Sequence, residues 1–211
     1  NNCSVNYAVG YQTSGALTQY MKLPQLLLEE GPVTPIPDGL TYDEAALAEP
    51  LACAVNGLEI VNMSLGKTVV LLGLGPIGCM MIDLARAMGA VKVIGVQRSK
   101  KRLEIARAYN ADVYIASDEE NVVERCREET GGHGPDVVIT TCGAVEAHEQ
   151  AVDMVAHRGY VMENGRVVME GEAANLRENP DVKEFYLGVS AGGAARSYKD
   201  VKSYKRRKRW L

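Results

Sequence analysis

The chain has 211 residues, of which 46% are hydrophobic and 24% charged, a composition typical of a globular protein with a sizeable core. Its formal net charge of −4 excludes a general attraction to nucleic acid or to an anionic membrane, so we expect neither partner. The cysteines form no CxxC pair, and the apolar runs are too short to cross a bilayer. We therefore expect a cytoplasmic protein without disulfides.

The N-terminal part shows no core of its own. Residues 1–28 are typical of short strands and turns, and Ala16–Leu23 is the best candidate for an extended segment. A proline-rich linker follows. Thr41 and Glu44 then form a capping box, which predicts an alanine-rich helix with a break at Pro50.

From Thr68 onward, short apolar runs alternate with amphipathic stretches. Repeated strand–helix–strand units of this length predict an α/β fold, a doubly wound parallel sheet of the Rossmann type, over residues 60–156. The predicted strands are Thr68–Leu72, Lys92–Val96, Val113–Ala116 and Asp136–Thr140. The predicted helices are Ile77–Met88, Ser99–Tyr109, one capped by Ser117 and Glu120 that reaches Thr130, and Val145–Val155.

The first of these strands runs directly into the loop GLGPIG. In a dinucleotide loop of this spacing, Gly73 permits the tight turn, Gly75 lets a pyrophosphate approach the backbone, and Gly78 lets the next helix pack closely. The N-terminus of that helix, which follows Pro76 and begins at Ile77, offers free N–H groups to phosphate. Because the loop lies between a strand and a helix, it predicts a nucleotide site.

The end of the second strand determines which dinucleotide is preferred. An NAD site places a carboxylate there, whereas this chain has Gln97 and Arg98, with Lys100 and Lys101 next to them. These cations favour binding of the 2′-phosphate of NADP. We include Arg102 with Gln97 and Arg98 among the predicted cofactor-binding residues. The alternative is that they form the solvated first turn of a helix.

Several stretches resemble, in order, the medium-chain zinc-type alcohol, polyol and threonine dehydrogenases. They are GALTQYMKLP, IPDGLTYDEAALAEPLACAVNGLE, TVVLLGLGPIG, KRLEIARAYNADVYIA and GGHGPDVVITTCG. The resemblance implies a Rossmann domain, a nicotinamide cofactor, NADP or NAD, and oxidation of a secondary alcohol or polyol to a ketone, usually at a zinc ion. It also implies that residues 1–59 are part of a mostly-β, GroES-like catalytic domain with a connecting helix. A homo-oligomer is compatible with it.

The resemblance extends to individual cofactor-binding positions. The phosphate loop of the family is matched by Gly73, Gly75, Pro76, Ile77 and Gly78. The turn that approaches the nicotinamide is matched by Thr141, Cys142 and Gly143. A buried thiol with no ligand is the alternative for Cys142.

For zinc, the resemblance implies a partial ligand set. Glu49 matches a glutamate at or beside the catalytic zinc, and Cys3 matches the last cysteine of a structural-zinc loop. The family's other ligands would precede Asn1, and Glu49 alone cannot hold a zinc ion. His148-Glu149 imitates a ligand pair but is interpreted as a solvated helix face. We identify no catalytic residue and expect the isolated chain to be catalytically impaired.

Residues 157–211 are different in character. Asn164-Gly165 between two β-rich runs, Tyr160–Glu163 and Arg166–Glu170, predicts a hairpin. The stretch RGYVMENGRVVMEGEAANLRENPDVKEFYLG resembles the end of ATP-binding subunits of branched-chain amino-acid ABC transporters. That resemblance suggests an alternative function, a transporter-associated or interaction protein.

Two further hypotheses concern this C-terminal part. Tyr160–Met162 would occupy the fifth place in the parallel sheet. A short helix over Ala173–Asn179 is followed by a basic tail, Ser190–Leu211, that is expected to be disordered.

Overall fold

The computed structural model describes residues 9–31, 33–155, 158–163, 166–172, 175, 178 and 179. Its strands are β1 (Thr68–Leu72), β2 (Lys92–Gln97), β3 (Val113–Ala116), β4 (Val137–Thr140), β5 (Arg158–Glu163) and β6 (Arg166–Glu172). Its helices are α1 (Gln25–Glu30), α2 (Tyr42–Ala46), α3 (Ala48–Ile60), α4 (Pro76–Ala87), α5 (Lys100–Ala106), α6 (Val122–Glu129) and α7 (Val145–Met154). In the part of the chain described, no helix is long and apolar enough to span a bilayer.

The first four strands form a parallel sheet in the order β3-β2-β1-β4, which confirms the predicted Rossmann-like fold. Side chains of β1 alternate between the two faces of the sheet. Val69 and Leu71 pack in a cluster with α3, α4 and α5, whereas Val70 and Leu72 pack with α6 and α7. Both faces are therefore covered by helices, which explains the continuous apolar run of β1.

The connecting helix forms as two pieces. Thr41 caps α2 through the predicted capping box with Glu44. The break lies at Leu47, three positions earlier than expected. Pro50 is accommodated in the first turn of α3, because a residue there needs no backbone N–H within the helix.

Two other predictions about local structure were wrong. Ala16–Leu23 is not a strand, and the segment that follows it is α1. An extended segment needs a neighbouring strand, and the isolated bridge between Val9 and Thr13 does not extend into one. Ser117 does not cap α6; its cap is Asn121, whose side chain accepts from the Glu124 N–H.

The predicted hairpin is confirmed as β5 and β6, which pair antiparallel from Arg158 opposite Glu172 to Glu163 opposite Arg166. Tyr160–Met162 do not occupy a fifth place in the parallel sheet: β5 pairs with β6, and β4 pairs with β1. Because β6 follows β5 after only two residues, it can provide the backbone hydrogen bonds that β5 needs, and β5 does not have to pair with the parallel sheet.

Of the predicted helix after the hairpin, Asn175 and Glu178 are helical, and the rest is undescribed except Asn179. The predicted disordered tail, Ser190–Leu211, lies outside the described residues.

Candidate functional site

The predicted glycine loop lies at the carboxyl end of β1. Gly73 has φ +98, a conformation that favours glycine, and its N–H donates to the Val96 carbonyl over 2.9 Å. Gly75 is the N-terminal cap of α4 and provides no side chain to satisfy the first turn. The N–H groups of Ile77 and Gly78 therefore have no acceptor within the helix and are available to an anion.

The three glycines have different surroundings. A Cβ on Gly78 would collide with the Gly73 carbonyl, and a Cβ on Gly73 would lie 2.9 Å from the Cβ of Cys142. A Cβ on Gly75 would meet no atom within 4 Å. Gly73 and Gly78 are thus required by close packing, while Gly75 borders open space beside the start of α4.

The end of β4 lies against this loop. The Thr141 N–H donates to the Leu72 carbonyl over 2.8 Å, and its hydroxyl donates to the Gly73 carbonyl over 2.5 Å. Cys142 is half-buried, while Gly143 is exposed. The structure thus brings together two sets of predicted positions that are far apart in sequence.

Strand order explains why these segments meet. The chain continues from β1 to β2 on one side and returns on the other side as β4. At such a switch point the connections leave in opposite directions and open a crevice at the carboxyl ends of the strands. The glycine loop and the Thr141–Gly143 turn border this crevice.

The end of β2 carries the predicted specificity residues. The Gln97 side-chain carbonyl accepts from the Arg98 N–H over 2.9 Å. Lys100 lies 3.6 Å from Glu119 in an exposed ion pair. Arg98, Lys101 and Arg102 are exposed and form no ion pair with the described residues.

The residues that the structure describes do not fit a zinc site. Glu49 is exposed in the first turn of α3 and accepts a hydrogen bond from the Cys53 thiol over 3.1 Å. This hydrogen bond raises the pKa of Cys53, which disfavours the thiolate that binds metal. Within the described ranges, no three His, Cys, Asp or Glu side chains are grouped to hold a metal. Cys3 lies outside those ranges, and we derive no chemical step from zinc.

His148 corrects another expectation. Glu149 is exposed as predicted, but His148 is half-buried, and its Nδ1 lies 3.1 Å from the Thr140 hydroxyl. Burial lowers the pKa of His148. The neighbouring alanines of α7, Ala147 and Ala151, indicate the face that turns inward, and this signal was available in the sequence.

Comparison with known proteins identifies the family. A family model described as zinc-binding dehydrogenase matches residues 76–202. The chain belongs to the zinc-binding dehydrogenase family. The match continues through β5 and β6 into the segment for which a transporter resemblance was inferred, and it gives that resemblance no support.

Relatives of this chain include polyol dehydrogenases. D-arabitol-phosphate dehydrogenase of Enterococcus avium is 30% identical over 167 residues, which cover 78% of this chain and 46% of that protein. Sorbitol dehydrogenase of Halalkalibacterium halodurans is 31% identical over 166 residues, covering 78% of this chain and 47% of that protein. The chain thus spans about half the length of the curated relatives that it matches.

A solved structure gives the same assignment. It is described as a zinc-binding dehydrogenase from Sinorhizobium meliloti bound to NADP. It is 31% identical, has a TM-score of 0.55, and the match covers 58% of this chain and 36% of that chain. This likeness supports the Rossmann-like fold.

Proposed function

We propose that this chain supplies the NADP(H)-binding part of an alcohol or polyol dehydrogenase. The observation that carries the proposal is the open space at Gly75, beside the free N–H groups of Ile77 and Gly78. A pyrophosphate can approach the backbone there and accept hydrogen bonds from the start of α4. The NADP-bound relative supports the same conclusion.

Each end of the dinucleotide then has its own residues. Arg98, with Lys101 and Arg102 near it, attracts the 2′-phosphate, because these exposed cations are not neutralised by described carboxylates. Gln97 is neutral and stands where an NAD site has a carboxylate that binds the ribose, so no negative charge repels the 2′-phosphate. Thr141, Cys142 and Gly143 border the nicotinamide side of the crevice. NAD is the alternative cofactor.

The bound nicotinamide supplies the hydride acceptor for alcohol oxidation. The chain's own contribution is binding and orientation, since no catalytic residue is identified and Glu49 with Cys53 does not make a zinc site. The names of the relatives indicate a polyol or a secondary alcohol as the substrate class. We expect alcohol oxidation by the isolated chain to be absent or very slow even with added zinc. Residues 60–156 form the binding domain in this proposal.

The test is a titration of the full chain with NADPH and NADH, followed by nicotinamide fluorescence. We expect NADPH to bind more tightly, and Arg98→Ala to weaken NADPH alone by about 1.5–3 kcal/mol, the contribution of a charged hydrogen bond. Arg107→Ala is the matched control, because this arginine lies at the other end of α5 and pairs with Glu104. Equal losses for both cofactors would remove Arg98 from this role.

A further inference from the structure

Thr141 contacts the phosphate loop at two successive carbonyls. Its N–H donates to Leu72, the last residue of β1, and its hydroxyl donates to Gly73, the first residue of the loop. The two distances are 2.8 and 2.5 Å. One residue of the β4 end therefore holds the point at which strand becomes loop.

Gly73 and Gly78 of the loop pack closely against the Thr141 hydroxyl. This oxygen lies 3.1 Å from the Cβ position of Gly73 and 3.1 Å from that of Gly78. A methyl group on either glycine would crowd it. The hydroxyl thus occupies a notch that exists because both positions are glycine.

The hydrogen bond also fixes a peptide dipole. The Gly73 N–H donates to Val96, so the Thr141 hydroxyl completes the polar contacts of this residue. A carbonyl oxygen free to turn toward the opening at Gly75 would present partial negative charge to a phosphate. The Thr141 hydroxyl and the close packing of Gly78 together hold that oxygen in place.

We infer that Thr141 is a positioning residue for the phosphate loop, acting on the pyrophosphate through the Gly73 carbonyl. The family resemblance implies only that its turn approaches the nicotinamide. This inference rests on the proposed dinucleotide function. It differs from a nicotinamide contact in a measurable way, because a pyrophosphate effect is independent of the nicotinamide.

The experiment compares Thr141→Val and Thr141→Ser in the full chain. Valine keeps the volume but removes the donor, whereas serine keeps the donor. We expect Thr141→Val to lower the affinity for NADPH by a factor of about 3–10, as for the loss of one hydrogen bond. The affinity for 2′-phospho-ADP-ribose, which lacks nicotinamide, should fall by the same factor. Ser should remain within about twofold of wild type, since the donor is retained.

Thr140→Val is the matched control. Thr140 is the adjacent threonine, but its hydroxyl contacts His148 rather than the loop. We expect its nucleotide affinities to match those of wild type. If Thr141→Val does not fold, Thr141→Cys replaces it, because cysteine has a side chain of similar size and only a weak donor. Its affinities for NADPH and 2′-phospho-ADP-ribose are then compared with those of Thr141→Ser, and we again expect both to fall by the same factor.

Two binding results would overturn the inference. One is unchanged affinity in Thr141→Val, and the other is a loss for NADPH that spares 2′-phospho-ADP-ribose, which would place Thr141 on the nicotinamide.

If wild type binds neither nucleotide, the proposed function fails, and amide hydrogen exchange in the free protein still decides the positioning role. Faster exchange at Gly73 and Cys79 in the Val variant supports it. Unchanged exchange at both amides overturns it.

Discussion

The two ends of the parallel strands differ in how completely their polar and charged groups are paired. At the amino edge, an N–H group in the first two residues of β1 and of β2 meets a carboxylate: Thr68 donates to Asp136 over 2.8 Å, and Val93 donates to Asp112 over 2.7 Å. Arg86 also pairs with Asp112, and an ion pair joins Lys92 to Glu129 over 2.8 Å. Charges at this edge are largely matched within the described chain.

The carboxyl edge leaves comparable groups open. The N–H groups at the start of α4 have no intrahelical acceptor, Gly75 borders empty space, and Arg98 has no ion-pair partner among the described residues. The same strands thus carry stabilising contacts at one edge and unmatched positive potential at the other. We expect substitutions at the two edges to separate stability from nucleotide binding.

The largest effect is expected for Gly75→Ala at the carboxyl edge. Gly75 has φ −81, and its Cβ would meet no protein atom, so alanine should fold normally. The methyl group would nevertheless occupy the space offered to a pyrophosphate. We expect NADPH affinity to fall at least about tenfold, or about 1.4 kcal/mol, with an unchanged melting temperature.

Gly15→Ala is the control for this change, because its Cβ also makes only an ordinary contact, at 3.8 Å, and it lies in the N-terminal segment. Calorimetry and fluorescence titration of both variants decide the result. A lower melting temperature with unchanged affinity for Gly75→Ala would contradict the assignment of the opening.

Asp112→Asn at the amino edge should lower stability and leave nucleotide affinity unchanged. Burial would raise the pKa of Asp112, but hydrogen bonds from Arg86 and the Val93 N–H outweigh it and hold the pKa below the usual 3.8. The carboxylate therefore stabilises the fold fully above that value, and its contribution is lost as pH falls through the lower folded-state pKa. At pH 7 we expect a loss of about 1 kcal/mol, limited by solvent screening of this partly exposed pair.

Urea unfolding of wild type and Asp112→Asn between pH 7 and pH 3 measures this difference. It should begin to shrink below pH 3.8, where the Asp112 carboxylate of the unfolded chain becomes protonated, and disappear as pH falls through the lower folded-state pKa. NADPH affinity at pH 7 should stay unchanged. A constant difference across that range would show that the effect is not due to the charge.

The smallest effect is expected for Glu119→Gln at the carboxyl edge. Glu119 pairs with Lys100 at 3.6 Å, and both side chains are mostly exposed, so the pair adds little stability. Removing its charge leaves Lys100 free to attract the 2′-phosphate. We expect NADPH to bind about twofold more tightly at low salt, with no gain in 0.5 M salt, where screening is strong. A gain that persists at high salt, or one shared equally by NADH, would contradict this explanation.

Local chemistry predicted most of this sheet. β1 and β3 have the predicted bounds because each apolar run ends at a turn, and the Thr41 capping box forms as expected. At Ser117 two capping patterns overlap in sequence. The N–H groups of Glu119 and Glu120 bond to Ala116 in a turn, which leaves Asn121 to begin the helix.

Contacts between distant segments could not be predicted in this way. Nothing near Thr141 indicates that its hydroxyl meets Gly73, because the two residues come together only after β4 has paired with β1. The hairpin shows the same limit. Tyr160–Met162 has strand propensity suited to either sheet, and the choice between partners depended on which backbone could pair nearby.

The pairing of β4 has a consequence for how this chain folds. The Thr141–Gly73 hydrogen bond spans 68 residues, whereas the Val93–Asp112 contact at the amino edge spans 19. Closing the longer loop costs about 1 kcal/mol more chain entropy, by the logarithmic dependence on loop length. A chain that has formed β1, β2 and β3 already carries the glycines, but their supporting hydroxyl arrives only with the fourth strand. Under the proposed role of Thr141, nucleotide affinity should therefore report whether β4 has paired with β1, which secondary-structure content alone does not reveal.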